Sequence, residues 1–378
     1  MASMTRLLAG TIGALTRRAW PEGAAEKYIG ANLGAYLAHA LDGSLRTNAA
    51  SGGVVSAILI DLLEKGKIDG ALVCRSVIRD GKVRAEFFIA RNKTEILQSQ
   101  GSKYVPVYFA REALPLIEKF QGDLAVVGLP CDIEFIRRRM EKETSEDSTG
   151  AKVRLLIAIV CGHNSETPLV DRVARVLERE TGSKINGYRF RSGLWRGELS
   201  ATFDNGMESK RSFSSRFGLY QNLYFWSEKK CFQCHDHYGY KADISSGDVW
   251  SLKLRNTPIK YSGVIARTQA GRNMFDGAVR AGAIETKPIA ASLILDGQAR
   301  TGPFHYNVSA RVSAAKFHGL KLKDKVFEPV KWNDRISAHI ALLNWRWSMS
   351  KTFGKLIFRI PRPFLKVYLY FFKFLESL

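Results

Sequence analysis

The chain has 378 residues, and its 57 Lys and Arg residues against 36 Asp and Glu residues give a formal net charge of +21 at pH 7. This length allows a large hydrophobic core, whereas five cysteines are too few for the disulfide framework of a small secreted protein. The cysteines are therefore expected in a reducing compartment, as core residues, metal ligands or catalytic groups. The positive charge favours an acidic partner: nucleic acid, an anionic lipid surface or an anionic ligand.

The first 20 residues contain three arginines and no acidic residue. Because the arginines flank the apolar part and no small-x-small cleavage site follows, we expect an unstructured or surface-lying arm rather than a secretory signal. Every long apolar run in the chain is broken by a charge before the ~20 residues that a membrane span needs. The sequence therefore predicts no transmembrane helix.

Residues 46–70 predict a loop, a helix and a stop, because Gly66 follows a helical run of apolar residues. This run consists of Val54, Val55, Ile58, Leu59, Leu62 and Leu63. Residues 71–90 then predict a β-hairpin, with two β-rich runs on either side of the turn dipeptide Asp80-Gly81. Cys74 lies inside the first run, where a small buried hydrophobic role is expected.

Two segments, 123–143 and 153–180, share one plan of an apolar strand, a turn and an amphipathic helix. Continuous apolar strands followed by helices are typical of buried parallel strands, so we expect an α/β fold with mixed α+β character. Cys131 and Cys161 each follow the carboxyl end of such a strand. Ligands of open α/β sheets bind at that edge, and the two cysteines are expected to converge there.

From about residue 185 onward the pattern changes to the alternation of antiparallel strands, followed by a CFQC loop and a strand–turn–helix segment at 261–285. The last 37 residues mix aromatic side chains with seven Lys and Arg residues and one Glu, and Pro361 and Pro363 are expected to divide them into two short helices. A basic, aromatic and amphipathic segment of this kind often lies in a membrane interface. The alternative is a packed helix with a solvated basic face.

The CFQC loop, which contains Cys231 and Cys234, has three interpretations from spacing alone. Structural zinc usually takes two CxxC or CxxH pairs, and His235 and His237 follow too closely for a standard finger. A thioredoxin-like pair should open a helix after a strand, which this loop is not expected to do. An iron–sulfur cluster needs four thiolates, and the fold could gather them from Cys131, Cys161, Cys231 and Cys234.

Six motifs in order resemble the coenzyme F420 hydrogenase/dehydrogenase beta-subunit family. They are RTNAASGGVVSAIL, SQGSKYVP, VVGLPCDIEFIRR, IVCGHN, CFQCHDHYGYKADISSGDVW and SGVIARTQAGRNMF, which lie between Arg46 and Glu285. The resemblance implies an FAD and a [4Fe–4S] cluster, the latter on Cys131, Cys161, Cys231 and Cys234. It also implies a flavin-binding region at 46–150 and an iron–sulfur region at 151–300, between an N-terminal arm with a short helix at 1–45 and a basic amphipathic tail at 301–378.

The expected flavin-binding residues combine flexible backbone with polar and cationic groups. Ser51 is expected to cap the helix after it, while glycines let the backbone approach a diphosphate at the helix N-terminus. A lysine is expected to stabilise reduced flavin, and a second strand–turn–helix is expected to bind a further phosphate or carboxylate. The full set is Ser51, Gly52, Gly53, Gly101, Ser102, Lys103, Tyr104, Arg267 and Thr268.

These observations predict an oxidoreductase that exchanges single electrons with a ferredoxin-like carrier and reacts with a small-molecule or glycan-linked substrate. The expected location is the cytoplasm, with the tail at the anionic inner face of the membrane. An alternative keeps the fold but makes the cluster structural or absent, in a membrane-surface protein of polysaccharide biosynthesis or modification. A zinc-stabilised nucleic-acid module is a third hypothesis, against which no recognition helix or aromatic–basic RNA motif is found, so no specific nucleic acid is expected.

Overall fold

A computed structural model describes residues 20–143, 149–193, 197–212, 217–251, 254 and 259–378. Its larger sheet has eight strands in the order β11-β1-β10-β9-β5-β4-β2-β3. The strands are β1 (Gly34–Ala40), β2 (Gly70–Arg79), β3 (Lys82–Ala90), β4 (Leu124–Gly128), β5 (Val153–Ile159), β9 (Ile244–Asp248), β10 (Ser262–Ala266) and β11 (Ile284–Ile289). The four neighbours β9, β5, β4 and β2 pair in parallel, and the remaining pairs are antiparallel. The predicted mixed α/β fold is confirmed.

A second sheet has the antiparallel order β6-β7-β8, as the alternation after residue 185 predicts. Its strands are β6 (Ile185–Ser192), β7 (Glu198–Phe203) and β8 (Glu208–Ser212). The large sheet draws strands from both sides of the predicted border at residue 150, and the borders at 45, 150 and 300 stay predictions.

The helices pack on both faces of the large sheet and around the small one. In the described ranges they are α1 (Ala24–Ile29), α2 (Gly43–Asn48), α3 (Val54–Glu64), α4 (Lys93–Gln98), α5 (Phe109–Glu112), α6 (Leu114–Lys119), α7 (Pro130–Met140), α8 (Thr149–Lys152), α9 (Thr167–Thr181), α10 (Phe217–Gln221), α11 (Gln269–Arg280), α12 (Ala291–Gly297), α13 (Thr301–Tyr306), α14 (Val308–Phe317), α15 (Trp332–Met349), α16 (Lys351–Ile357) and α17 (Arg362–Ser377). A short 3-10 turn covers Lys229–Gln233.

Local sequence chemistry accounts for several of these boundaries. Asp80 and Gly81 both have positive φ, 51° and 65°, which a two-residue turn with the twist of a β-hairpin requires. Helix α7 begins at Pro130, whose missing N–H costs nothing in the first turn of a helix. The predicted hairpin and strand–helix units are therefore present where the sequence places them.

The tail belongs to the core around the small sheet. The ring of Phe358 stacks on the ring of Trp226 with centroids 4.3 Å apart, and the backbone N–H of Trp226 donates to Ser348 Oγ at 2.7 Å. The side chain of Asn344 donates to the carbonyl of Leu223 at 2.9 Å. The described tail forms three helices instead of the two expected, because the chain also breaks at Ser350, whose backbone is extended.

In the part of the chain that the structure describes, no helix combines the length and the apolar character needed to cross a membrane. The predicted N-terminal arm lies mostly outside the described residues, which begin at residue 20.

The packing of α17 predicts a sharp contrast between two adjacent phenylalanines. Phe372 is fully buried and Phe371 is 53% exposed. Phe372→Ala should lower the free energy of unfolding by about 3–5 kcal/mol, because it leaves a cavity in the core. Phe371→Ala should change it by less than about 0.5 kcal/mol. Urea denaturation of both variants measures the difference, and equal effects would contradict a tail packed on the core.

Candidate functional site

A cleft of about 670 Å³ lies at the carboxyl edge of the parallel strands. The ends of β4, β5 and β9 all contribute to its walls, through Gly128, Ile159 and Asp248. This edge is where open α/β sheets bind ligands, because the loops that leave parallel strands diverge there. The volume is in the range of small-molecule and cofactor sites.

One end of the cleft is formed by the segment Ser51–Gly53 and the start of α3. The position before α3 is occupied by Gly53 with φ 78°, and no side chain caps the helix. The expectation that Ser51 caps this helix is wrong, since its hydroxyl lies 2.8 Å from the Ser262 hydroxyl instead. A Cβ on Gly52 would lie 2.6 Å from the carbonyl oxygen of Ala38, so the close approach of this segment to β1 requires glycine. The first N–H groups of α3 are thus left for a ligand.

The predicted segment Gly101–Tyr104 lines the same cleft. Gly101 has φ 87°, and the amine of Lys103 donates to its carbonyl at 2.9 Å. Burial lowers the pKa of Lys103 to about 8; the nearby Cys74 thiol opposes this shift and Arg189 adds to it. Cys74 also lines the cleft, which its expected role as a small core residue does not account for.

Two further cations at this end were not anticipated from the sequence. Arg191 in β6 is buried and donates to the carbonyl of Ala50 at 3.1 Å and to the carboxylate of Asp248. Its Nε has no hydrogen-bond partner among the described residues. Lys260 donates to the carbonyl of Ala49 at 2.6 Å, and burial, together with Arg191, lowers its pKa to about 8.

Lys103 and Arg191 line the same cleft as the uncapped start of α3, and Lys260 binds the nearby Ala49, so that the excess of positive charge over the Asp248 carboxylate favours an anionic ligand. Lys103 and Lys260 each feel a neighbouring arginine that disfavours their charged forms. A bound phosphate group would offset that repulsion and raise both pKa values. Nothing in the local sequence reveals Arg191 or Lys260, because only the fold brings β6 and the segment before β10 to Ser51.

Of the four predicted ligand cysteines, Cys161 lines the cleft and the other three lie near it. Cys131 lies in the first turn of α7, Cys161 two residues after β5, and Cys231 and Cys234 in and after the 3-10 turn. Burial raises the pKa of the Cys161 thiol well above its usual value, and Cys231 and Cys234 raise it further. Burial likewise raises the pKa of Cys131, with smaller contributions from Cys234 and Cys161 among its neighbours. Each of the four thiols therefore lies near at least two of the others.

Burial opposes ionisation of these thiols, but two neighbouring groups would stabilise negative charge on sulfur. The backbone N–H of Asn164 donates to Cys231 Sγ at 3.4 Å. The guanidinium of Arg311 is 1% exposed and donates to the carbonyls of Phe232 at 2.8 Å and Cys234 at 2.7 Å. Burial lowers the Arg311 pKa to about 10, against the opposing influence of the nearby cysteines. Its partners within the described ranges are backbone carbonyls, so ionised cysteines would supply the counter-charge.

Two aspartates after the CFQC loop fix the backbone around it. Asp236 accepts hydrogen bonds from three consecutive backbone N–H groups, those of Tyr238, Gly239 and Tyr240, and the one from Gly239 is 2.6 Å long. Asp243 accepts from the Leu156 N–H at 2.8 Å and from Arg137 at 2.8 Å, which joins β5 to α7. Both carboxylates are used in these contacts and hold the cysteine-bearing loops in place.

Two histidines line the cleft beside Cys161. His163 Nε2 lies 3.0 Å from the carbonyl of Gln221, and burial lowers its pKa to about 4. His237 is 2% exposed, and neither ring nitrogen makes a well-formed hydrogen bond in the described part of the chain, although the Gln298 side chain and the Cys161 backbone are polar neighbours. Burial lowers its pKa to about 4 as well, so both rings are neutral at pH 7. His237 can therefore offer a ligand one donor and one acceptor.

Arg267 and Thr268 are not brought to the cleft. Arg267 donates to the carbonyls of Ile29 at 3.0 Å and Tyr238 at 3.1 Å, and it joins α1 to the loop after Cys234. The Thr268 hydroxyl accepts from the Gly271 N–H at 3.1 Å and caps α11. Their assignment to a cofactor stays a prediction that this geometry does not support.

No three His, Cys, Asp or Glu side chains within the described ranges are arranged so that they could hold a metal ion. The chemistry of the donor set nevertheless fits a thiolate-bound cluster. It combines four thiols, an N–H group directed at sulfur and a buried guanidinium without a carboxylate partner. Zinc would also accept four thiolates, and the donor set alone does not separate the two.

Fold and site together define an α/β protein whose cofactor-sized cleft adjoins a group of four cysteines. Models of the coenzyme F420 hydrogenase/dehydrogenase beta subunit match it, the N-terminal model over residues 35–111 and the C-terminal model over residues 122–292. The chain belongs to this family, as its motifs predict, and the family indicates an oxidoreductase.

Individual relatives agree with this assignment. An uncharacterized protein of Methanocaldococcus jannaschii is 29% identical over 244 residues, which make up 63% of this chain and 61% of that protein. The coenzyme F420 hydrogenase subunit beta of Methanosarcina barkeri is 23% identical over 268 residues, 70% of this chain and 84% of that subunit. A chain of the F420-reducing [NiFe] hydrogenase complex from Methanosarcina barkeri has the same fold, with a TM-score of 0.56 at 20% identity over 79% of this chain and 98% of that chain.

The lysines at the start of α3 predict a pH-dependent affinity for ADP. The ADP phosphates are fully ionised above about pH 7.5, since their last pKa is near 6. Lys103 and Lys260, each with a pKa of about 8, lose protons above that pH, so ADP affinity should fall between pH 7.5 and 9.5. Binding near pH 8.5 should take up protons, because the anion raises both pKa values. Titration calorimetry in two buffers of different ionisation enthalpy measures both effects.

Variants at two lysines test the same site. Lys260→Gln should lower ADP affinity about tenfold and weaken the pH dependence, because a charged hydrogen-bond donor is lost. Lys241→Gln, at a lysine that is 53% exposed and lies near Glu141, should change neither. An ADP affinity that changes neither with pH nor with the Lys260→Gln substitution would contradict an anion site here.

Proposed function

We propose that the protein is an iron–sulfur flavoprotein oxidoreductase. It passes electrons between an external one-electron carrier of the ferredoxin type and an organic substrate, through a [4Fe–4S] cluster and FAD. One observation carries the proposal: Cys161 belongs both to the four-cysteine group and to the wall of the cleft. Family membership supports it independently.

Two separate sets of residues would hold the two cofactors. The N-terminus of α3 and the cations Lys103, Arg191 and Lys260 would bind the FAD diphosphate. Cys131, Cys161, Cys231 and Cys234 would bind the cluster. Flavin accepts electrons singly or in pairs and the cluster accepts them singly, which is the chemistry that such a site supplies when it is loaded.

The chain itself provides charge, orientation and protection from water. The Arg311 guanidinium and the Asn164 N–H stabilise negative charge on the cysteine sulfurs. His237 presents a neutral imidazole to the ligand in the cleft. Lys103 is held at the cleft wall by carbonyl oxygens, so its charge is positioned before any ligand binds.

Substrate and partners are proposed as classes. The names of the relatives make a deazaflavin of the F420 type one substrate to test, beside a small-molecule or glycan-linked compound. Those relatives are subunits of hydrogenases, which supports a protein partner for electron transfer. The proposed location is the cytoplasm and the inner face of its membrane. The alternative, a membrane-surface protein of polysaccharide modification with a structural cluster, shares this location.

Cofactor analysis of anaerobically purified protein tests the redox proposal. The wild-type chain should contain about four irons, four sulfides and one flavin, as a [4Fe–4S] flavoprotein requires. Cys231→Ser should lose most of the iron, because one of four thiolates is missing. Cys74→Ser is the matched control, since Cys74 lies in the same cleft but outside the four-cysteine group, and it should retain its iron.

Zinc in place of iron, with no flavin, would contradict the redox proposal. Equal iron in Cys231→Ser and wild type would contradict the ligand assignment. A full cluster with no flavin would favour the structural alternative.

A further inference from the structure

The segment from the end of α15 through α17 exposes a series of large apolar side chains, which we call the tail strip. Each of them has between 38% and 67% of its surface exposed. They are Trp347, Met349, Phe353, Leu356, Ile360, Phe364, Val367 and Phe371. Soluble proteins seldom leave so many large apolar residues of one segment in contact with water.

The exposure of the strip does not come from loose packing. In α17 the exposed residues Phe364, Val367 and Phe371 recur at helical spacing on one face. The opposite face is buried in the core, with Leu365 and Phe372 at 2% and 0% exposure. The helix therefore has two apolar faces. Only one of them has a partner in the described structure.

The strip continues from one helix to the next. The rings of Trp347 at the end of α15 and Phe353 in α16 are nearly parallel, with centroids 6.5 Å apart. Between Arg346 and Leu375 the chain has no acidic residue. It has seven basic residues there, namely Arg346, Lys351, Lys355, Arg359, Arg362, Lys366 and Lys373, and all but Lys373 are exposed.

We propose that the tail strip seats the protein on the surface of an anionic lipid bilayer. Aromatic and aliphatic side chains interleaved with Lys and Arg match the boundary between acyl chains and anionic headgroups. A second copy of the chain is a poor occupant, because a symmetric contact would place seven positive charges against seven others. The inference stands on the strip alone and does not require the cluster or the flavin.

Seating the strip in this way brings the cleft to the membrane. Lys373, two residues after Phe371, lines the cleft. Glu376 in the same helix is buried and pairs with Arg300, which lines the cleft too. Helix α17 thus contacts the cleft with one side and would contact the bilayer with the other, so the cleft would lie one helix away from the membrane surface.

Co-sedimentation of the full chain with lipid vesicles tests the proposal. The protein should bind vesicles that contain phosphatidylglycerol, and it should bind pure phosphatidylcholine vesicles far more weakly. The triple variant Phe353→Ser, Phe364→Ser and Phe371→Ser should lower the partition coefficient at least tenfold, because three interfacial side chains are lost. Lys351→Gln with Arg359→Gln and Lys366→Gln should lower it about a hundredfold on anionic vesicles, at about fivefold per charge.

A matched triple variant controls for a general loss of apolar surface. Tyr108, Met207 and Phe327 are 50%, 49% and 80% exposed and lie outside the strip, so their replacement by Ser should leave vesicle binding unchanged. Equal loss in the control and strip variants, or no binding of wild type to anionic vesicles, would overturn the proposal. A stable dimer in light scattering that the strip variant abolishes would also overturn it, in favour of a second copy. Iron and flavin content should be the same in all variants, which separates this outcome from a failure of the redox proposal.

Discussion

The parallel pairing of β9, β5 and β4 is the constraint on which the rest of the site depends. Parallel strands end at one edge, so the residues that follow them must share that edge whatever their distance in sequence. Cys131 and Cys161 follow β4 and β5, and Asp248 ends β9. Asp243 strengthens the same arrangement, because its carboxylate binds the backbone of β5 and the side chain of Arg137 in α7. The CFQC loop precedes β9, and the segment after it is held at the carboxyl edge by the backbone N–H of Cys161, which donates to the carbonyl of His237 at 3.0 Å.

Buried positive charge is the second organising feature. Arg311 lies under the CFQC loop and Lys103 at the far end of the cleft, and neither has a carboxylate partner among the described residues, whereas Arg191 beside Lys103 pairs with Asp248. A buried cation without a carboxylate partner is costly, and a protein retains it where an anion will bind. The two ends differ in the anion they suit: sulfur charge at one and a phosphate at the other. The cleft between them is lined by strand ends and neutral histidines, and also by the carboxyl groups of Asp132 and Asp248.

The sequence predicts what depends on local chemistry or on strand order. The Asp80-Gly81 turn follows from φ preferences, and the convergence of Cys131 and Cys161 follows from parallel strands. It misses contacts that only tertiary structure creates. Arg191 and Lys260 donate to the carbonyls of Ala50 and Ala49, because the fold brings segments that are distant in sequence together beside Ser51. The Ser51 hydroxyl hydrogen-bonds with that of Ser262 instead of capping α3. The tail illustrates the same limit, since its composition predicts amphipathic helices but cannot reveal which apolar face the core takes.

The most direct test of the account is anomalous X-ray diffraction from crystals of the anaerobically purified protein, recorded on both sides of the iron and zinc absorption edges. The account predicts iron signal enclosed by the sulfur atoms of Cys131, Cys161, Cys231 and Cys234, and flavin density in the cleft beside Cys161 with its diphosphate at the start of α3. A single zinc peak among the cysteines, or iron bound elsewhere in the molecule, would contradict it.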